Sequence, residues 1–539
     1  MTGPSLLSSL LNLITTATHE LQSELEGADL PEPWIDDATL HPWDEVTPSR
    51  KYWDARRTLI SALGMMNAVV QNPREKIICD SQGYHHSAAL NFIANTHIAD
   101  ILAAPDVDER VGLPVAEIAR RTGSHPAKTE RVLRFLCIYH TFQETSPAVF
   151  ANNRVSVCLK KGHPTAELPL LWADVGFRSA TAFSATLRDP RTAYSMRIED
   201  APFGEVFSDS TPATASHFIQ ASIPSGLGSA SISEPKSATV STTPPRATIF
   251  EFLARPDSEV YRSAFAQTMV TLDVMNGALG YHDLAWGRWD TEGAVFVEAG
   301  ASTGHLANAV LPVVKNAKFV NQDRPEVCLQ GKKFFVENNP EALKSGRVTF
   351  EPNDFFTGQP VKGASIYILS NILHDWPDKE ALIILNHIAA AMIPSSRLLV
   401  IEIVMVPSLS QSRSLPPASK DRNIGDAPWP LPKDYGFVNR YPHHQSMEIM
   451  NLFNGLDRSV SVSLSSLLPR YFSSPSSFDF YPISLSRHGS HALCTRTLGE
   501  YVSLFELSGL ELVEVHRIRK LVSVMEVKKG KPRGRSSRN

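Results

Sequence analysis

The sequence predicts an α/β protein: a mostly parallel sheet with helices on both faces, preceded by a mostly helical domain. Three observations carry this. From Ala247 onward, short apolar and β-branched runs alternate with amphipathic stretches, the order that gives parallel strands and crossover helices. From residue 52 to about 200, apolar residues recur at three- and four-residue spacing, as in "YWDARRTLISALGMMNAVVQ". Between the two, 208–246 is rich in Ser, Thr, Pro and Ala and poor in large apolar residues, so it reads as a disordered linker or insertion.

The bulk numbers fit that plan. A chain of 539 residues implies at least two domains. With 42% hydrophobic and 20% charged residues the composition is that of a soluble globular protein. The net charge of −4 gives no reason to expect nucleic acid or an anionic membrane as partner. The five cysteines are scattered and never form a CxxC pair, which argues against a disulfide framework and a zinc site. No Lys or Arg precedes Arg50, so the N-terminus lacks the basic start of a signal peptide. No run of 18 apolar residues is present, and a cytoplasmic location is expected.

The domain plan is an N-terminal extension at 1–50, a helical unit at 51–207, the linker at 208–246, an α/β domain at 247–526 and a basic tail at 527–539. Within the helical unit, Val115–Arg121 and Ala127–Tyr139 read as two short helices around the turn "GSH". "TFQETSPAVFANNRVS" follows as two short strands, completing a winged-helix pattern. Its second helix offers Lys128, Arg131 and Arg134. Glu130 interrupts them, and Phe135, Leu136 and Ile138 require burial, so a packing and dimerisation role is favoured over DNA reading.

In the α/β domain, strands are expected at 294–300, 317–323, 347–354, 364–369 and 396–406, with helices at 305–315, 325–338 and 379–393. "LELVEVHRI" and "LVSVMEV" suggest a terminal strand pair. The turn "VEAGASTGH" closes the first strand. Gly300 and Gly304 let the backbone bend sharply and approach a ligand, and the helix after Gly304 aims free amide groups at it. The second strand ends in Asp323, placed to take both hydroxyls of a ribose. The third ends in Asp354 and Phe355, an acid and an aromatic suited to an adenine. The glycine pattern is GxxxG rather than GxGxxG, which favours S-adenosylmethionine over a dinucleotide.

"SNILHDWPDKEA" (370–381) and its flanks, with "QDRPEV", "NDFF" and "MEIMNLFNGLDR", resemble the large plant and fungal small-molecule O-methyltransferases of the caffeate O-methyltransferase type. The resemblance covers roughly 80–200, 247–458 and 497–520, and "AKTERVLRFL" and "FANNRVS" are most similar to the fungal branch. It implies a Rossmann-like S-adenosylmethionine methyltransferase domain, a winged-helix dimerisation domain, a homodimer and a phenolic or related small-molecule substrate. It implies cofactor contacts at Glu298, Gly300, Gly304, Asp323, Arg324, Asp354 and Phe355, with no metal. It also implies His374 as general base, Glu402 and Asp457 as the carboxylates that orient it, and Asp375 as the adjacent acid. An imidazole with a reference pKa of about 6.5 can take the proton of a phenol whose pKa is near 10.

The chain departs from the family at the first strand end. The usual Asp-Val-Gly-Gly-Gly is Glu298-Ala299-Gly300-Ala301-Ser302 here. A Cβ at a position needing φ > 0 costs about 1 kcal/mol or more. Ser370 stands where a Lys or Arg is common. Residues 459–496 interrupt the junction between "NGLDR" and "TLGEYVSLFELSGLEL" and read as an insertion or translated intron. Met65, Met66, Met269, Met275, Met447 and Met450 are candidates for pocket walls or core. Two other readings stay open: an NAD(P)-dependent oxidoreductase, and a catalytically weak homologue acting as a binding or regulatory protein.

Overall fold

The computed structural model describes residues 5–195, 197–207, 246–265, 268, 278–376, 378–405, 408, 410, 427–454, 496–520 and 522–530. Helix α1 (Leu6–Gly27) lies against α2 (Arg50–Val70). Leu10 and Ala62 share a small core with Ala427 and Leu431. Helix α1 is therefore part of the body, held by burial rather than appended to it. Met65 and Met66 pack at the edge of this core.

Next come α3 (Tyr84–Thr96), α4 (Val115–Thr122) and α5 (Pro126–Ile138). Gly123 at φ +68° ends α4, and Pro126 opens α5 at a position that lacks an intrahelical partner in any case. Strands β2 (Gln143–Ser146) and β3 (Val149–Ala151) form the hairpin, and β1 (Leu113–Pro114) pairs with β3. Ile118, Leu133, Leu136, Phe142 and Phe150 are buried together. Two expectations for α5 change. Arg134 is paired with Glu130 and Glu144, so its charge is already matched. Ile138 is 75% exposed, because it ends the helix on the face away from that core.

The α/β domain holds a seven-stranded sheet. Its strands are β4 (Val295–Ala299), β5 (Lys318–Asp323), β6 (Val348–Pro352), β7 (Ile366–Ser370), β8 (Arg397–Glu402), β11 (Leu510–Arg517) and β12 (Ser523–Lys529). The order is β11-β12-β8-β7-β4-β5-β6. The pairs from β8 to β6 are parallel, and β12 is antiparallel to both its neighbours. Strand β4 sits between β5 and β7, so the winding reverses there and a crevice opens at the carboxyl ends of β4 and β7.

Side-chain alternation sends each strand to both faces. Phe296, Phe319, Ile366, Ile368, Leu399 and Val524 face one core, beside α6 (His305–Val310) and α7 (Pro325–Asn338). Val297, Ala299, Tyr367, Leu369, Leu398 and Met525 face the other, beside α8 (Asp378–Ala391) and α10 (Leu498–Leu507). Burial on both faces is why these strands read as near-continuous apolar runs.

Several boundaries move. The helix expected at 305–315 stops at Val310, because Pro312 has no N–H to continue it. The strand expected at 396–406 breaks after Glu402 and resumes as β9 (Val404–Met405), paired with β10 (Arg496–Thr497). Arg496 is 2% exposed and belongs to the domain, so the interruption ends before it. Arg246 likewise lies outside the linker, paired with Asp200 and Glu205. The basic tail does not begin at 527: Val527 is fully buried and pairs with Leu398. Residues 208–245, 459–495 and 531–539 lie outside the described residues. Among the described residues, no helix is long and apolar enough to cross a membrane.

The packing of α7 on β6 gives a direct check. A Cβ on Gly331 would stand 2.2 Å from Cε1 of Phe350. Gly331→Val is expected to destabilise the α/β domain by about 1–3 kcal/mol through overpacking, read as a lower melting temperature in a calorimetric scan.

Candidate active site

Strand β7 ends at Ser370. Asn371 then takes φ +53°, and its N–H donates to the Ile401 carbonyl at 2.9 Å. The chain turns tightly through Leu373–Asp375. Glu402, at the end of the neighbouring strand β8, has a fully buried side chain. Its Oε1 accepts the backbone N–H groups of Ile372 (3.1 Å), Leu373 (2.8 Å) and His374 (3.3 Å). Its Oε2 lies 2.7 Å from His374 Nδ1. One carboxylate therefore caps the turn and sets the ring. His374 Nε2 lies 3.2 Å from Asp375 Oδ1, and the His374 side chain is 28% exposed. Burial, the largest single influence, disfavours its charged form, but the carboxylates of Glu402 and Asp375 together outweigh it. The imidazole pKa is raised well above 6.5.

Arg496 supports the turn from behind. It donates to the carbonyls of Leu373 and Trp376 and is 3.2 Å from Asp378 Oδ1.

Across the crevice is the glycine turn. Gly300 has φ +77°, and a Cβ there would stand 2.3 Å from Cδ1 of Ile372. Gly304 has φ +80°, and a Cβ there would stand 2.6 Å from Nδ2 of Asn321. Ser302 adopts φ +51° while Ala301 does not have positive φ, so only the serine bears backbone strain, of about 1–2 kcal/mol. The Ser302 N–H donates to Asp323 Oδ2 at 2.8 Å, which holds the strained residue.

Glu298 is 3% exposed and its Oε2 has no hydrogen-bond partner. Burial first, and then the charge of Asp323, pushes its carboxyl up to about 8. Thr303 Oγ1, Asn321 Nδ2 and Oδ1, and Gln322 Nε2 are also buried and unpartnered. Such groups are costly unless something polar meets them. Asp323 Oδ1 takes the Arg324 N–H at 2.8 Å, and Arg324 itself lies 3.5 Å from Glu326. Asp354 is exposed and accepts the Phe356 N–H at 2.9 Å. The Phe355 ring is half-buried, edge-on to Trp376 at 6.0 Å, and a Gly300 Cβ would stand 3.6 Å from it.

The structure thus gathers Glu298, Gly300, Gly304, Asp323, Arg324, Asp354 and Phe355 at the carboxyl edge of β4, β5 and β6. It gathers His374, Asp375 and Glu402 at that of β7 and β8. Ile372 joins the two groups, its side chain filling the space over Gly300. Asp457, Met269 and Met275 lie outside the described residues. Met447 is half-exposed on α9 (Arg440–Phe453). Sequence reasoning missed Arg496, Asn371 and Ile372. Only Asn371 carried a signal, since asparagine tolerates positive φ.

A doubly wound sheet with an acid-and-glycine turn at its switch point and a carboxylate-held histidine opposite defines a methyltransferase of the Rossmann-like class. The comparisons agree. Residues 257–417 match the O-methyltransferase domain and 80–162 the O-methyltransferase dimerisation domain. The chain is 32% identical to O-methyltransferase gedA of Aspergillus terreus over 415 residues, covering 77% of this chain and 81% of the relative. It is 30% identical to O-methyltransferase tpcA of Aspergillus fumigatus, covering 77% and 82%. In fold it is similar to LepI in complex with SAM, with a TM-score of 0.52, 16% identity, and 88% and 94% coverage. The chain belongs to the O-methyltransferase family, and its methyl donor is S-adenosylmethionine. The dinucleotide-oxidoreductase reading falls with that assignment.

Gly300→Ala adds a methyl at positive φ and against Ile372. The variant is expected to bind S-adenosylhomocysteine at least tenfold more weakly by isothermal titration. A change under twofold would remove this turn from the cofactor site.

Proposed function

We propose that this O-methyltransferase methylates a phenolic hydroxyl of a small molecule, with His374 as the general base. The observation that carries the reading is the 2.7 Å contact between His374 Nδ1 and the buried Glu402 carboxylate. It fixes the tautomer with the proton on Nδ1, so that Nε2 is the nitrogen left to accept. Asp375 Oδ1 shares Nε2 in the resting arrangement, and its side chain is 44% exposed, free to turn outward as an acceptor hydroxyl arrives.

Bound S-adenosylmethionine supplies a methyl group on a positively charged sulfur, which needs no metal or covalent enzyme intermediate to make it transferable. This chain's residues do the remainder. Glu298, the unpartnered amide of Asn321 and the unpartnered Nε2 of Gln322 offer polar contacts to the donor's polar end. Asp323 offers a half-buried carboxylate for a diol, and Asp354 with Phe355 an acid and a ring face for a base. His374 takes the phenolic proton on Nε2, and Glu402 stabilises the imidazolium that results. The larger task is holding the acceptor oxygen in line, which is proximity catalysis. We assign 51–207 to dimerisation and 247–530, with the whole of β12, to methyl transfer. The dimerisation-domain match and the exposed Ile138 and Tyr139 support a homodimer.

The raised pKa fixes the sign of the pH dependence. The base must be neutral, so kcat/KM for a phenol is expected to rise with pH through a midpoint above 6.5. His374→Ala is expected to lower kcat by about 10²–10⁴-fold with S-adenosylhomocysteine affinity kept within twofold. Loss of both together would point to a structural role.

Glu402→Gln keeps a carbonyl for the three backbone amides but presents an amide N–H to Nδ1. That forces the proton onto Nε2, the wrong nitrogen for a base. A loss in kcat of about 10²-fold or more, with the residual pH midpoint moved down toward 6.5, is expected. A rate near wild type would exclude the proposed base.

A further inference from the structure

A second cavity, of about 150 Å³, lies between the start of α2, the start of α9 and the edge formed by β9, β11 and β12. None of the residues of the methyl-transfer crevice lines it. Its charge is one-sided. Arg50, Arg56, Arg57, Arg517 and Lys520 line it, and among the described residues no Asp or Glu does, in a chain whose net charge is −4.

Three of these cations are already occupied at one side. Arg50 pairs with Asp54 at 2.9 Å, Lys520 Nζ lies 3.2 Å from the centroid of the Tyr281 ring, and Arg57 lies over the Tyr435 ring at 4.3 Å. Arg56 is different. Its guanidinium lies 5.1 Å from the centroid of the Trp53 ring, and its Nε is buried with no hydrogen-bond partner. Burial pulls both Arg56 and Arg57 below the usual arginine pKa, against the opposing influence of Tyr52 and Asp44 on the first and of Tyr435, Asp54 and Asp434 on the second. A buried guanidinium is costly until an anion with matching oxygens completes it.

Ile403, Val404, Met405, Val438, Val515 and Val522 give the wall an apolar part, with Trp53 at one side, while Asn439, His443 and Ser523 are polar. A cavity of about 150 Å³ accepts a benzene-sized molecule. We propose that this cavity binds a single-ring aromatic carboxylate, the ring against the valine and tryptophan wall and the carboxylate on Arg56 and Arg57. A carboxylate suits the planar fork of arginine, and an inorganic anion would leave the apolar wall unused.

The test is isothermal titration of the full-length protein with benzoate, methyl benzoate and inorganic phosphate. It reads binding alone, so its outcome is independent of the methyl-transfer mechanism. Benzoate is expected to bind at least tenfold more tightly than its neutral ester, and also more tightly than phosphate. Arg56→Met and, separately, Arg57→Met are expected to abolish the preference for acid over ester, with S-adenosylhomocysteine affinity within twofold of wild type as the sign of an intact fold. Equal binding of acid and ester overturns the proposal with no variant needed. Phosphate binding as tight as benzoate, or a preference that survives both substitutions, overturns it as well.

Discussion

The Glu402 carboxylate is the contact on which the rest of the site depends. It is fully buried at the end of β8 and satisfies three backbone N–H groups with one oxygen and the His374 ring with the other. A buried carboxylate is tolerable only when its lone pairs are met, and here the turn after β7 meets them. The fold and the chemistry are thereby tied. The parallel register that sets Ser370 opposite Ile401 also brings the turn within reach of Glu402. A shift of that register by one residue would move the carboxylate to the other face of the sheet.

Stability and chemistry pull this pair in opposite directions with pH. The His374 pKa is raised in the folded state, so the pair's contribution to stability is full below about 6.5, the unfolded value, and is lost as pH rises through the folded value. Proton abstraction needs the neutral ring and improves over that same rise. The window above 6.5 is where the site trades cohesion for basicity. The backbone amides on Glu402 Oε1 carry no titratable proton, and they keep the turn in place when the ring gives up its charge.

Much of this was legible in the sequence because burial on both faces leaves a plain mark. "AVFVEAG" and "ASIYILS" are apolar at odd and even positions alike, which only a two-sided sheet requires, and the residues at their carboxyl ends carry the site. Glu402 was legible through the family resemblance, which matched it inside "VIEIV". Boundaries were less so. Neither the break after Glu402 nor the role of Arg496 follows from local pattern, since both depend on β9 pairing with a strand more than ninety residues on. Ser302 could be suspected of strain from the missing glycine, but the Asp323 contact that holds it is tertiary. The exposure of Ile138 also escaped, because an apolar residue at a helix end does not say which face it ends on.

The two sides of the crevice gather two kinds of unfavourable feature. Asn371 and Ser302 hold positive φ without being glycine, and Glu298, Thr303, Asn321 and Gln322 bury polar atoms that meet nothing in the chain. Each is unfavourable by itself. They persist because the two apolar cores on either face fix the strand ends to which they are attached. Relief is open to the polar group by the arrival of a polar ligand, whereas backbone strain at Ser302 remains with or without one. The substitution of the usual glycines therefore burdens the scaffold rather than the chemistry: the Ala301 methyl is buried without backbone strain, and the serine keeps its N–H on Asp323. The altered turn keeps the close approach at Gly300, and this favours a working enzyme over a binding protein that has lost its reaction.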